Sequence, residues 1–144
     1  MYPKFFGKLF RKGEMLIGVC GSLRVAQVLR FGFKVPKHPE KMPAEEYLNT
    51  KFASALLKKL KAAGARKKEN EVETAELGLL IAYRGRLFSM GGGFSVSESA
   101  LGYDSTGSGS DYALGSLVTT EPLDVAPRDR LRVALKAAAT FCWG

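Results

Sequence analysis

The chain has 144 residues, a mass of 15.7 kDa, 46% hydrophobic and 25% charged residues, which is the composition of one soluble domain with a hydrophobic core. No apolar run reaches the roughly 18 residues of a membrane span, and the first residues lack the apolar region of a signal peptide. We therefore expect a cytoplasmic protein in which Cys20 and Cys142 are buried free thiols.

The formal net charge of +8 is concentrated in the first half of the chain. Residues 1–70 hold 16 Lys/Arg against 5 Asp/Glu, whereas residues 71–144 hold 6 against 9. A basic half favours nucleic acid or an acidic partner. It is equally explained as a solvated helix face, because much of this charge lies at 58–68 between apolar helix positions. No aromatic residues interleave with these lysines, as a platform for stacking single-stranded bases requires.

Two strands and a helix are predicted first. Residues 8–11 predict a short strand and 12–14 a turn, while 15–20 are apolar without alternation, which is typical of a strand covered on both faces. Ser22 is a suitable N-cap for a helix over 23–31. The apolar face predicted for this helix consists of Leu23, Ala26, Val28, Leu29 and Phe31.

A proline linker and a second helix follow. Pro36, Pro39 and Pro43 break the chain around His38, the only histidine. Because no second histidine or nearby cysteine accompanies it, we expect no metal site there. The second helix is predicted from Pro43 to Gly64. Its buried side is predicted to hold Tyr47, Phe52, Leu56, Leu57 and Leu60.

Antiparallel strands are predicted in the middle of the chain. Residues 66–76 are highly charged and predict a mobile loop. Residues 77–83 predict a second buried strand, and glycine-containing turns connect it to strands at 86–90 and 94–98. This part of the chain is therefore predicted to form a β-meander.

The stretch 103–117 is where we expect a functional site. Residues 103–106 predict the end of a strand, and 107–109 predict a tight turn that presents the hydroxyl of Ser108. The turn leads into a helix N-terminus, whose free amides favour negative charge. The same residues also fit an ordinary Gly-Ser loop.

Two helices complete the predicted order. The first is capped by Ser110 or Asp111 and has an apolar stripe of Ala113, Leu114, Leu117 and Val118. The last covers 128–142, and its apolar face is predicted to hold Leu131, Leu135, Ala138 and Cys142. The order of elements predicts an α+β fold with helices on both faces of the sheet.

Conventional catalytic patterns are missing from the sequence. It has no Gly-x-Ser-x-Gly elbow and no dinucleotide fingerprint, and the glycines at 91–93 are not followed by the Lys-Ser/Thr of a phosphate loop. His38 lies in the proline linker, away from any nucleophile pattern. From the residues alone, Ser108 and the lysines near strand starts are the candidates.

The order and spacing of several segments resemble proteasome β-subunits and the bacterial heat-shock-locus-V type protease. The resemblance runs through Lys8-Leu9-Phe10, the apolar strand and Gly21-Ser22, the hairpin 76–88, the turn 102–109 and the final helix, and it spans nearly the whole chain. It implies the αββα four-layer sandwich of the N-terminal-nucleophile hydrolases, in which an N-terminal threonine cuts peptide bonds with its own amine as base.

The resemblance also implies roles for three residues. Lys8 matches the lysine beside the nucleophile, with Lys4 as the alternative. Gly21 matches the glycine whose N–H stabilises the oxyanion, and Ser108 matches the serine that hydrogen-bonds around the threonine amine. The structural alternatives are a solvated strand-end lysine, a helix-entry turn and a plain loop.

The sequence departs from the family at both ends. No threonine precedes Lys8, the acidic residue between threonine and lysine is absent, and the chain stops at Trp143-Gly144 where the family continues into further strands. We expect residues 1–144 to be a single proteasome-like domain that lacks the first and last strands. As written, this chain is expected not to hydrolyse peptides.

Three functions remain open at this point. The first is a subunit of a threonine-type endopeptidase that forms a homo-oligomeric ring, receives protein substrates from an ATP-dependent unfoldase and needs no cofactor or metal ion. The second is a non-catalytic structural subunit of such a ring. The third is a basic nucleic-acid-binding module.

Overall fold

The computed structural model describes residues 7–69 and 72–142. Seven strands lie within these ranges: β1 (Leu9–Lys12), β2 (Met15–Gly21), β3 (Lys67–Glu69), β4 (Val72–Thr74), β5 (Leu77–Tyr83), β6 (Arg86–Met90) and β7 (Val96–Glu98). Five of them form an antiparallel sheet in the order β1-β2-β5-β6-β7, and β3 pairs with β4 in a separate ladder. The predicted α+β class and the meander β5-β6-β7 are confirmed.

Turn geometry fixes the register of the meander. Arg84 and Gly85 connect β5 to β6, and both have positive φ, 50° and 74°. Two consecutive residues with positive φ suit the right-handed twist of a two-residue hairpin. The register that results pairs Ile81 with Phe88 and Leu79 with Met90, so that these buried side chains share one face.

Within the described ranges, helices pack closely on one face of the five-stranded sheet. In β2 the residues Met15, Ile17 and Val19 are buried, whereas Leu16 is 43% exposed and Cys20 is half-buried. The prediction that this strand is covered on both faces is therefore wrong. An all-apolar run does not distinguish a doubly covered strand from one whose second face is open.

The described residues form four helical stretches. The first is α1 (Leu23–Gln27), which continues as a π-helical turn (Val28–Gly32). The second runs without interruption through α2 (Ala44–Tyr47), a π-helical turn (Leu48–Phe52) and α3 (Ala53–Ala62). The last two are α4 (Ser110–Thr120) and α5 (Pro127–Phe141). No helix in the described part of the chain is long and apolar enough to cross a membrane.

Two hydrophobic clusters stabilise these elements. The main core joins the helix-covered face of the sheet to the first two helical stretches, and all of its buried residues lie between Met15 and Val96. The second cluster is small: Ala134 of α5 packs on Ala113 and Leu117 of α4. The packing of α4 and α5 is thus largely independent of the main core.

Several helix and loop predictions are corrected by this packing. Leu23 and Phe31 are 59% and 66% exposed, whereas Val28 and Leu29 are buried as predicted, together with Val25, which was not among the predicted residues. The predicted loop at 66–76 contains the β3-β4 ladder, and 103–106 is not a strand. Three more apolar residues predicted to be buried, all in α4 and α5, are also more than half exposed: Val118, Leu131 and Leu135.

Candidate functional site

A cleft of about 690 Å³ lies between the open face of the sheet, the segment 105–109 and α5. Its walls include Lys8, Gly21 and Ser108. These three residues, which the sequence predicted as site residues from separate segments, are thus brought together at one cleft. The structure alone does not assign them catalytic roles.

Gly21 has a steric reason to be glycine. It ends β2 with φ +103°, and a Cβ at this position would overlap the carbonyl oxygen of Glu76. The same carbonyl accepts a hydrogen bond from the N–H of Ser22, at 3.0 Å. The close approach of the two backbones therefore requires a residue without a side chain. Ser22 is the N-cap of α1 by its backbone, although its side chain makes no capping hydrogen bond.

The turn around Ser108 is also shaped by two glycines. Gly107 has φ +107°, and its carbonyl accepts a hydrogen bond from the N–H of Ser110 at 3.1 Å. Gly109 is the N-cap of α4, and a Cβ there would lie 2.8 Å from the Cβ of Ala138. Between these two constraints the side chain of Ser108 is exposed at the cleft. Neither Ser110 nor Asp111 caps α4 as predicted; the Ser110 hydroxyl donates to the carbonyl of Ser105 instead.

Cys20 and Thr106 connect the turn to the sheet, and sequence reasoning missed this contact. The sulfur of Cys20 lies 3.2 Å from the hydroxyl oxygen of Thr106, within hydrogen-bonding distance. They meet over Gly78 of β5, where a Cβ would overlap the Thr106 hydroxyl and lie 2.6 Å from the Cys20 sulfur. A glycine inside an apolar strand is a recognised sign of such a close approach, and it was the available signal.

The thiol predictions are corrected in one respect. Cys20 and Cys142 are both free, but each is only half-buried.

Lys8 lies at the mouth of the cleft, immediately before β1. Its side chain is exposed, and its carbonyl accepts a hydrogen bond from the N–H of Val19 at 2.8 Å. This backbone contact fixes the start of β1 beside the end of β2, and so holds the lysine near Gly21. Lys4, the alternative, lies outside the described residues.

A second, smaller cavity of about 130 Å³ adjoins the cleft. Lys8, Cys20 and Gly21 line both spaces. Much of the rest of its wall is apolar, formed by Val19, Leu23 and Ala26 among others. A cavity of this size and character can accept a small apolar side chain next to the cleft.

The chemistry available in the cleft is that of an ammonium, several hydroxyls, a thiol and backbone amides. The described residues that line it include no carboxylate and no imidazole. No group of three potential metal ligands occurs among the described residues either. This part of the chain can therefore bind and orient a polar group and stabilise negative charge through Lys8.

No family model and no curated protein matches this chain, but solved structures do. BPH from Thiobacillus denitrificans is 23% identical, with a TM-score of 0.80 over 97% of this chain and 74% of that chain. The same protein in complex with epoxomicin gives a TM-score of 0.76 over 93% and 71%. Eukaryotic HslV from Trypanosoma brucei is 20% identical, with a TM-score of 0.60 over 92% and 72%. The chain therefore has the fold of these proteins, and the resemblance predicted from the sequence is confirmed at the level of the fold.

Proposed function

We propose that this chain is a proteasome-like β-type subunit of the threonine-endopeptidase lineage, acting in ATP-dependent protein degradation in the cytoplasm. The observation that supports this best is the convergence of Lys8, Gly21 and Ser108 on one cleft. Lys8 and Gly21 meet through the β1-β2 pairing, and Ser108, far from both in the sequence, reaches the same cleft as the proposed site requires.

The 144 residues supply the positioning part of such a site and not its nucleophile. In the proposed reaction a threonine hydroxyl attacks the peptide carbonyl while the threonine amine takes its proton. Lys8 would lower the pKa of the neighbouring amine by its positive charge, the N–H of Gly21 would stabilise the oxyanion, and Ser108 would hold the amine by a hydrogen bond. The small apolar cavity beside Gly21 would receive a substrate side chain.

We further propose that the open face of the sheet is where a second sheet would complete the four-layer sandwich. Leu16 on this face is 43% exposed, and the chain spans 74% of the length of BPH. A single domain over 1–144 would then lack the strand with the threonine and the last strands. We also propose that the subunit assembles into a homo-oligomeric ring and receives its substrates from an ATP-dependent unfoldase.

A non-catalytic structural subunit of the same ring is the second candidate. Two observations favour it: the described cleft contains no general base, and Gly21, Gly107 and Gly109 each have a steric reason to be glycine. On this alternative the site residues maintain the fold and do not act on a substrate.

The intact mass and the N-terminal sequence of the protein from its natural source separate the two candidates. A heavier product that begins with threonine would support the peptidase. A product of 15.7 kDa that begins at Met1 would support the structural subunit. A monomer in native mass spectrometry, without peptidase activity, would contradict both.

If the threonine form exists, Lys8→Ala is the decisive variant. We expect its peptidase turnover to fall by more than about a hundredfold, because the positive charge beside the amine is lost. Its thermal unfolding should be unchanged, since Lys8 is exposed. Lys41→Ala, another exposed lysine outside the cleft, is the matched control. Normal turnover in Lys8→Ala would reject this assignment and make Lys4 the candidate.

Epoxomicin, which BPH binds, is the inhibitor with which to test whether the measured peptidase activity depends on the threonine.

A further inference from the structure

A groove of about 510 Å³ separates α1 and its π-helical turn from α3, away from the candidate site. Its surface includes Ala63, Gly32 and the exposed Phe31, and the buried Val28 also contributes to its lining. Arg24 and Lys59 lie on the two helices that border it. It is therefore an apolar groove with a basic group on each side.

The two helical segments that border this groove carry charge of one sign. Neither 15–39 nor 47–68 contains an acidic residue, and α3 adds Lys58 and Lys61. Glu73 of β4 is already engaged by Lys61, at 3.5 Å, and by Arg66. Within the described residues, Arg24 and Lys59 have neither an ion-pair partner nor a hydrogen-bond partner. Two exposed basic groups that are not paired with a carboxylate generate a positive local potential.

Lys59 is held over the groove by its own packing. Its Cε and Nζ lie 3.2 and 3.6 Å from the position that a Cβ on Gly32 would take. Because Gly32 has no side chain, the lysine stem lies across the end of the π-helical turn. The C-terminal end of a helix carries partial negative charge, which favours an ammonium at this place.

We propose that this groove is a docking site for an acidic segment of a partner protein that also carries apolar side chains. Carboxylates on the segment would pair with Arg24 and Lys59, and an apolar side chain between them would cover Ala63 and Phe31. A polypeptide matches the apolar surface better than a nucleic acid does. The aromatic ring that lines the groove, Phe31, has the guanidinium of Arg30 at 5.2 Å from its centroid, so it is not an open platform for a base.

The test measures binding of a labelled peptide of alternating glutamate and leucine by fluorescence anisotropy. We expect Arg24→Glu and Lys59→Glu each to weaken binding by about tenfold or more, through like-charge repulsion. Lys41→Glu, on the proline segment, introduces the same charge change elsewhere and should stay within about twofold. Ala63→Tyr leaves the charge unchanged but fills the groove, and should also weaken binding by about tenfold.

Polyglutamate and a single-stranded oligonucleotide serve as comparison probes, which show whether the groove prefers a peptide that is both acidic and apolar. Polyglutamate of equal charge should bind more weakly than the glutamate-leucine peptide, because only the leucines use the apolar surface. Equal binding of the two peptides, tighter binding of a single-stranded oligonucleotide, or unchanged binding in both charge-reversal variants would overturn the proposal. The proposal does not depend on the threonine site, so its failure leaves the proposed function and the Lys8→Ala test untouched.

Discussion

At the scale of single residues, glycine controls the closest contacts of the candidate site. Gly78 is the sharpest case, because Cys20 and Thr106 meet directly over it. We expect Gly78→Ala to push the Thr106 segment away from β2 and to lower the free energy of unfolding by about 1–3 kcal/mol, the range of other overpacking substitutions. Urea unfolding measures the loss, and the rate of Cys20 alkylation should rise.

Gly91→Ala is the control for this experiment. A Cβ at Gly91 would meet no atom within 4 Å, and its φ is not in the positive range. We therefore expect little change in stability or in thiol reactivity. If Gly78→Ala behaved like Gly91→Ala, the contact between Cys20 and Thr106 would not hold the turn in solution.

Some residues of the cleft can be predicted from the sequence and others cannot. Lys8, Gly21 and Ser108 could be predicted from motif order, since each lies at a recognisable strand end or turn. The pair Cys20 and Thr106 could not, because a contact between distant segments has no local pattern. An isolated glycine such as Gly78 indicates that something approaches closely without indicating what it is.

At the scale of elements, the proline segment before α2 is fixed to the sheet by aromatic and polar contacts. The ring of His38 stacks on Tyr47, with centroids 4.2 Å apart and planes 4° from parallel. Its Nε2 lies 2.6 Å from the carbonyl oxygen of Met42, so Nε2 donates, and its Nδ1 accepts from the Tyr83 hydroxyl at 2.6 Å. The Tyr47 hydroxyl donates to the carbonyl of Pro36 at 2.6 Å. The segment predicted as a linker is thus tightly anchored.

This anchoring predicts a loss of stability at high pH. Burial, with a smaller contribution from Tyr83, raises the pKa of Tyr47 from 10.0 to about 12. Between these two values the unfolded chain has lost the proton and the folded chain retains it, so the free energy of unfolding falls as the pH rises. The loss amounts to about 2–3 kcal/mol and is absent below the unfolded pKa.

Tyr47→Phe should remove this part of the pH dependence, although it also removes the hydrogen bond to Pro36. Urea unfolding across the interval from about pH 10 to 12 measures the slope. Tyr112→Phe, on the exposed side of α4, is the matched control and should keep the slope of the parent protein. An unchanged slope in Tyr47→Phe would contradict the prediction.

The elements themselves were more predictable than the faces they bury. Apart from the β3-β4 ladder and the strand wrongly predicted at 103–106, the strands and helices follow from apolar runs, turn glycines and prolines, all of which are local signals. Which side of a helix is covered depends on its neighbours: α5 packs through Ala134, while its larger residues Leu131 and Leu135 remain exposed. A periodic stripe identifies an apolar face but not its partner.

At the scale of the whole molecule, apolar surface remains open on both sides of the cleft. Leu135 of α5 is 67% exposed and lines the cleft opposite Leu9 and Gly18. Contiguous apolar surface of this kind promotes association. We expect the isolated chain to self-associate, and the double variant Leu131→Lys/Leu135→Lys to shift it toward monomer in analytical ultracentrifugation.

A suitable control adds charge without removing apolar surface. Thr140→Lys introduces a lysine at another exposed position of α5 and should leave self-association largely unchanged. If Thr140→Lys shifted the protein toward monomer as much as the double leucine variant does, net charge and not the leucines would control association. A monomeric parent chain would contradict the prediction outright.

The separation of the two hydrophobic clusters has a consequence for the order in which the protein is made. All buried residues of the main core lie between Met15 and Val96, and those of the small cluster lie between Ala113 and Ala134. Everything that the main core needs therefore leaves the ribosome before α4 and α5 do. We expect the sheet and its first helices to form during translation, so that the wall of the cleft carrying Gly21 exists before the residues that face it.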